Sequence, residues 1–310
     1  MLYNDTSLEP RDARKCAEAV RSHARTFFFA SRLLGAEKRR ATYAVYAFCR
    51  LADDLVDHAP RHLRKETLRA LDDERAALAA TFAGSPRDAI HRELARAIEQ
   101  FSLPAEPFNT LLDALGADID PPHFTELTDL LRYTEGVAST VGEISAHIFG
   151  LPADHEARAN AIHRARLMGV AMQLTNIIRD VGEDARRGWC YVPDSDLETC
   201  AIDRREILTG SLEPGDERWR ELARIEIERA RRYYDLAMKG IELLDADARP
   251  CATLCATGYR AILDTVERAR YDSLTRRHSV GLGRKLVLAY QARRRRPGAA
   301  ADAPAHEAIA

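Results

Sequence analysis

The sequence has almost no net charge: 46 Lys and Arg stand against 48 Asp and Glu in 310 residues, a formal total of −2. A chain so balanced has no surplus of cations with which to coat nucleic acid, and no nucleic-acid partner is expected. No stretch approaches the roughly 18 apolar residues that a membrane-spanning helix needs. Residues 1–10 lack the basic flank and apolar run of a signal peptide, so the expected location is cytoplasmic. Cysteine is scarce, with six in all (Cys16, Cys49, Cys190, Cys200, Cys251 and Cys255) and no Cys-x-x-Cys pair. Cys251 and Cys255 have no nearby His or Cys to complete a tetrahedral site, which leaves buried free thiols rather than a disulfide framework or a zinc centre. Glycine (16) and proline (13) are also few, and alternating apolar/polar stretches bounded by turn residues are missing, which argues against strands. At 46% apolar and 30% charged, the chain is not of the low-hydropathy, disordered kind.

What remains is helix. Apolar residues recur at helical spacing in Ala44, Phe48, Leu51 and Leu55, and again in Leu167, Val170, Leu174, Ile177 and Val181. Breaks are predicted at Gly84-Ser85-Pro86, Leu103-Pro104, Pro121-Pro122, Gly150-Leu151-Pro152, between Gly188 and Pro193, at Glu213-Pro214-Gly215 and at Arg249-Pro250. The intervals suit an all-α fold, one large helical bundle whose middle encloses a cavity, with no internal repeat or long linker. Residues 1–290 are read as one domain. Residues 291–310, with arginines at 293–296 followed by Pro297-Gly298 and an Ala-rich end, are read as a basic, disordered tail that an anionic membrane surface would attract.

Two stretches carry chemistry. On a helix, Arg50, Asp53, Asp54 and Asp57 fall at i, i+3, i+4 and i+7, so three carboxylates and one guanidinium share a face. Taken alone, this stripe also fits a solvated face with Arg50 relieving the acids. In the second stretch, Gln173, Asn176, Asp180 and Asp184 (or Glu183) line one face between the apolar Leu174, Ile177, Ile178 and Val181. Turned toward a common cavity, these carboxylates would repel one another and be desolvated unless cations compensated. Oxygen ligands alone favour a hard cation such as Mg²⁺, which keeps waters and is completed by substrate phosphates. A di-iron centre would need Glu-x-x-His spacing, and the order and spacing of His91 and Glu93 do not supply it.

These residues resemble the two aspartate-rich signatures of the squalene/phytoene synthases, over residues 43–57 and 173–188, and the resemblance extends over residues 23–276. Residues 133–143 resemble the family's tyrosine-led segment, and Tyr259 and Arg276 match its C-terminal diphosphate-contacting positions. The resemblance implies an isoprenoid-synthase helical bundle around a central apolar cavity. It implies Mg²⁺, with Mn²⁺ as a substitute, held by Asp53 and Asp57 and by Asn176, Asp180 and Asp184. It further implies prenyl diphosphate substrates met by Thr26, Arg50, Gln173, Arg179, Tyr259 and Arg276 beside Asn176, with Tyr133 joining the four aspartates as a catalytic residue.

The implied reaction is head-to-head condensation through a cyclopropylcarbinyl diphosphate. Residues 180–188 look like the bacterial and carotenoid branch, which implies geranylgeranyl diphosphate as substrate and phytoene as product. A C30 enzyme acting on farnesyl diphosphate is the alternative, with NADPH required only where squalene is formed. A non-catalytic helical relative is a third reading, and it would have no need for the metal-binding acids. Two departures stand out: His23-Ala24-Arg25-Thr26-Phe27 replaces a His-Ser-x-Ser-Phe-like run, and Tyr133-Thr134-Glu135 replaces Tyr-Cys-Tyr. Repulsion among the acids predicts that Asp53→Ala or Asp180→Ala abolishes turnover with little change in melting. An amphiphilic substrate and an apolar product imply peripheral contact with a membrane.

Overall fold

A computed structural model describes residues 11–57, 63–117, 119–120 and 123–294; the side chain of Asp57 lies outside that set. The described regular elements are all helical, in two compact units divided after Ile119. None of the described helices is long and apolar enough to cross a membrane.

In the first unit, helices α1 (Arg11–His23), α2 (Arg25–Ser31), α3 (Ala36–Asp57), α4 (Arg64–Phe82), α5 (Ala89–Phe101) and α6 (Glu106–Ala117) follow one another. Phe48 of α3 anchors the core: its ring is fully buried, edge-on to Phe108 at 5.6 Å and to His91 at 6.1 Å. Such edge-to-face pairs add about 0.5–1.5 kcal/mol to the burial itself. With Ala44, Ala52 and Val56 buried on the same side, the opposite side of α3 is the one that bears the acids. Leu51 and Leu55, expected in this stripe, are only half-buried; the smaller Ala52 and Val56 take the core positions. Asp88 caps α5, accepting from the backbone N–H groups of Ile90 (2.9 Å) and His91 (3.1 Å).

The second unit is laid out along one long helix. Its elements are α7 (Leu127–Thr134), a π-helical turn (Glu135–Ser139), α8 (Thr140–Phe149), α9 (His155–Arg186), α10 (Asp194–Thr199), α11 (Arg204–Thr209), α12 (Glu217–Met238), a 3₁₀ turn (Ile241–Leu243), α13 (Arg249–Arg268) and α14 (Leu282–Arg294). Helix α9 has 32 residues, roughly 48 Å of axis. Its apolar stripe, Val170, Leu174, Ile177 and Ile178, packs in one cluster with Ile227, Tyr234 and Leu263. Pro250 does not break a helix: it sits in the first turn of α13, where its missing N–H costs nothing. Helix α14 runs to Arg294 with Ala292 buried, so residues 291–294 are its last turn rather than the start of a tail. Pro121 and Pro122 and residues 295–310 lie outside the described residues. All six cysteines are buried and free.

Helix α9 is approached backbone to backbone. A Cβ on Gly142 of α8 would lie 2.2 Å from the carbonyl oxygen of Ala165, and one on Gly169 2.3 Å from that of Ala138. Ser139 closes the same contact by donating its hydroxyl to the Arg166 carbonyl (2.9 Å). The π turn, an uncommon element that recurs at functional sites, is thereby pressed onto α9 just after Tyr133. Gly169→Ala is therefore expected to destabilise the protein by about 1–3 kcal/mol, because rigid backbone must move. Gly116→Ala, whose Cβ would meet only Leu71 Cδ1 at 3.8 Å, should be neutral or slightly stabilising. Denaturant titration of the two variants checks the contrast, and equal effects would refute the close-packing account.

Candidate active site

In the first unit, Arg50 donates to the carboxylate of Asp54, one turn on, and Asp53 is half-buried beside them. The local ion pair anticipated as relief for the acids is present, but it engages only one edge of the guanidinium. Arg50 Nε is buried with no hydrogen-bond partner. A desolvated charged donor without an acceptor is costly, and an anion reaching it would remove that cost. Asp57 is the last residue of α3; its side chain lies outside the described residues. Thr26 is half-buried on α2, and Ala24 occupies the position before that helix with no side chain to cap it. Ala24 can supply neither a hydroxyl nor a side-chain cap at this position. His23 is exposed, with Nδ1 3.0 Å from the Ala19 carbonyl oxygen.

In the second unit, the α9 face is assembled as its spacing predicts. Asn176 Nδ2 donates to Gln173 Oε1 (3.2 Å), which leaves Asn176 Oδ1 buried without a partner. One turn later, the Asp180 carboxylate is gripped by two guanidiniums. Arg179 reaches it through Nε (2.7 Å) and Nη2 (2.5 Å), and Arg277 through Nε (2.7 Å) and Nη2 (3.3 Å). Arg277 Nε also lies 3.6 Å from Glu183 Oε2. Burial works against the charge of Arg179, but the hydrogen bonds and charge of Asp180 outweigh it and raise its pKa above the usual arginine value. Tyr259 of α13 belongs to the same electrostatic group. Burial pushes its phenol up, opposed by the positive charge of Arg179 and Arg277. Asp184 is half-buried one turn beyond Asp180, and its carbonyl accepts from Arg187 and Trp189, ending the helix.

Tyr133, at the end of α7, is half-buried in an aromatic stack with Phe124 (5.4 Å) and Tyr191 (5.5 Å, 27°). Glu135 is exposed at the start of the π turn, while Thr134 is buried and donates to the Leu131 carbonyl.

Arg276 Nε bonds Asp272 (2.7 Å), and the next residue, Arg277, is the one that reaches Asp180. The chain between α13 and α14 sets that choice. Arg270 and Tyr271 have positive φ (56° and 64°), Trp219 Nε1 holds the Tyr271 carbonyl at 2.8 Å, and the Gly182 N–H donates to the Ser273 carbonyl at 3.1 Å. A Cβ at Gly182 would lie 1.9 Å from the Leu274 carbonyl oxygen. Nothing in the residues 270–277 themselves marks this docking; only the Gly in the second acidic stretch hints at it. One expectation is corrected by this geometry: Asp180 is compensated by arginines, so the second acidic stretch is not a cluster of unrelieved repulsion.

Among the described residues, no three His, Cys, Asp or Glu side chains converge as a metal cage. The donors present nevertheless fit Mg²⁺, which typically takes one or two carboxylates and completes its octahedron with water and phosphate oxygens. The unpartnered Asn176 oxygen, one turn from Asp180, is such a donor. Asp180→Ala would strand Arg179, whose side chain is only 13% exposed. It is expected to lower the unfolding free energy by about 1–3 kcal/mol. Arg277→Ala, at a half-exposed residue, should change it by less than about 1 kcal/mol. Urea denaturation of the two variants tests this, and an Asp180→Ala protein as stable as the parent would restore the repulsive-cluster view.

Residues 20–284 match the family Squalene/phytoene synthase. The chain is 35% identical over 281 residues to the chloroplastic phytoene synthase of Daucus carota, covering 89% of this chain and 69% of that protein. Among solved structures it is similar to a dehydrosqualene synthase in complex with ligand, with a TM-score of 0.80 and 27% identity, covering 91% of this chain and 95% of that one. It is also similar to a squalene synthase from Alicyclobacillus acidocaldarius, with a TM-score of 0.74 and 28% identity, covering 84% and 94%. The chain therefore belongs to the squalene/phytoene synthase family, and with it to the prenyltransferases.

Proposed function

We propose that the protein joins two geranylgeranyl diphosphates head to head, through a cyclopropylcarbinyl diphosphate, to give phytoene in carotenoid biosynthesis. The observation that carries the C20 reading is the similarity to phytoene synthases, 35% identity over 89% of this chain for that of Daucus carota and 34% over 88% for one of Zea mays. In this reading residues 1–290 act as one catalytic domain, and the metal-binding residues are Asp53 and Asp57 of α3 and Asn176, Asp180 and Asp184 of α9. Bound Mg²⁺ would neutralise charge on the departing diphosphate.

The chain's own donors do the rest. Arg50, with its unpartnered Nε, and Arg179 and Arg277, with N–H groups not aimed at Asp180, bind and orient diphosphate oxygens, aided by Arg276, Gln173, Asn176, Thr26, Tyr133 and Tyr259. Ionisation of one substrate gives an allylic cation, which the double bond of the other attacks. Proton loss closes the cyclopropane. A second ionisation, rearrangement and proton loss leave a central triene. An apolar pocket around the reacting carbons would keep water from the cation.

The fold's likeness to solved C30 synthases supports the second reading, in which farnesyl diphosphate is the substrate and NADPH serves only a squalene-forming step. Purified protein is to be incubated with Mg²⁺ and radiolabelled geranylgeranyl or farnesyl diphosphate, and the extracted hydrocarbons identified. The expected product is phytoene from the C20 substrate. Chelation should abolish it and Mn²⁺ restore it, and Asp53→Ala should lower turnover by about 10²-fold or more. A C30 product alone would overturn the C20 assignment. No condensation product from either substrate would favour a non-catalytic relative.

A further inference from the structure

Helix α14 lies outside the reaction described above and carries an unusual surface. The exposed large apolar side chains of the described chain all belong to it: Leu282 (67% exposed), Leu286 (54%), Val287 (47%) and Tyr290 (58%). At 100° per residue, Leu282, Leu286 and Tyr290 follow one line along the helix, and Val287 lies beside it. The opposite side holds Leu288 and Ala292, both buried, so α14 is seated through one face and offers a second apolar face outward.

Positive charge frames that outward face. Arg284 and Lys285 flank its N-terminal half, and the exposed Arg293 and Arg294 close its C-terminal end, with the Arg294 guanidinium 4.8 Å from the centroid of the Tyr290 ring. The chain as a whole is balanced in charge, yet no Asp or Glu occurs between Asp272 and Asp302. A contiguous apolar patch with a cationic rim needs a partner that is apolar inside and anionic at its surface.

We propose that the outward face of α14 docks the protein on an anionic phospholipid bilayer. Leu282, Leu286, Val287 and Tyr290 would enter the boundary between headgroups and acyl chains. Arg284, Arg293 and Arg294 would meet the lipid phosphates. A second copy of this chain fits the surface less well, because pairing the same face would set these cations against their counterparts. Nucleic acid would satisfy the charge but not the four apolar side chains.

The test uses the full chain without substrate, so its failure is distinguishable from failure of the proposed reaction. Co-sedimentation is measured with vesicles of phosphatidylcholine alone and of phosphatidylcholine with about a third phosphatidylglycerol. The parent protein is expected to bind the anionic vesicles, and more weakly as salt is raised. Leu286→Ser with Tyr290→Ser should weaken that binding by about tenfold or more. Both substitutions are at exposed positions, and circular dichroism verifies that the helices are kept. Arg293→Gln with Arg294→Gln, which leaves the apolar face intact, should weaken binding to anionic vesicles and reduce its salt dependence. No binding by the parent, or parent-like binding by both variants, would overturn the proposal. So would a parent dimer in solution that the Leu286→Ser, Tyr290→Ser protein loses, which would assign the face to a second copy.

Discussion

The arrangement of the second unit depends on how closely other backbone comes to helix α9. Gly142, Gly169 and Gly182 stand where any Cβ would enter the van der Waals space of a carbonyl on the opposing segment, and at Gly240 one would run into the Arg164 side chain. These contacts do more than fill space. The first two press the π turn and the end of α7, with Tyr133, onto the helix that carries Asn176 and Asp180. The third lets the segment after α13 lie across α9 and deliver Arg277. Interiors packed to crystal-like density transmit such small displacements rather than absorbing them, so the missing side chains act as spacers for the polar groups nearby.

Around that scaffold the charges are arranged in opposition. A partly buried carboxylate such as Asp180 would be costly alone, as would Arg179. Together, and with Arg277, they form a network in which every charge has a partner. In the proposed reaction these groups would exchange partners, carboxylates to metal and guanidiniums to diphosphate. The same account applies in the first unit, where Arg50 already shares Asp54 yet keeps Nε buried and unpartnered.

Much of this was legible in the residues. The faces of α3 and α9 follow from a period of 3.6, because each helix must bury one stripe and expose another. The same reasoning misjudged which residues of α3 enter the core, since Leu51 and Leu55 suit a stripe as well as Ala52 and Val56 do, and packing volume decides between them. Arg276 and Arg277 are indistinguishable by type. Their roles are set by two positive φ angles and by hydrogen bonds from Trp219 and Gly182, all contacts distant in sequence or invisible to pattern. The π turn has no signature of its own, and the arginines at 293 and 294 read as tail because charge clusters resemble solvated ends. The alternatives of C20 and C30 substrate stayed open because chain length depends on a few lining side chains rather than on the acids.

In the proposed reaction the backbone contact at Gly182 sets Arg277 where it would meet the diphosphate. Isothermal titration of inorganic diphosphate with Mg²⁺ into the full chain and into Gly182→Ala checks this dependence. Binding is expected to weaken by about tenfold or more in the variant, with its helical circular dichroism retained. Equal affinity of variant and parent would show that Arg277 does not depend on the glycine or does not meet the anion.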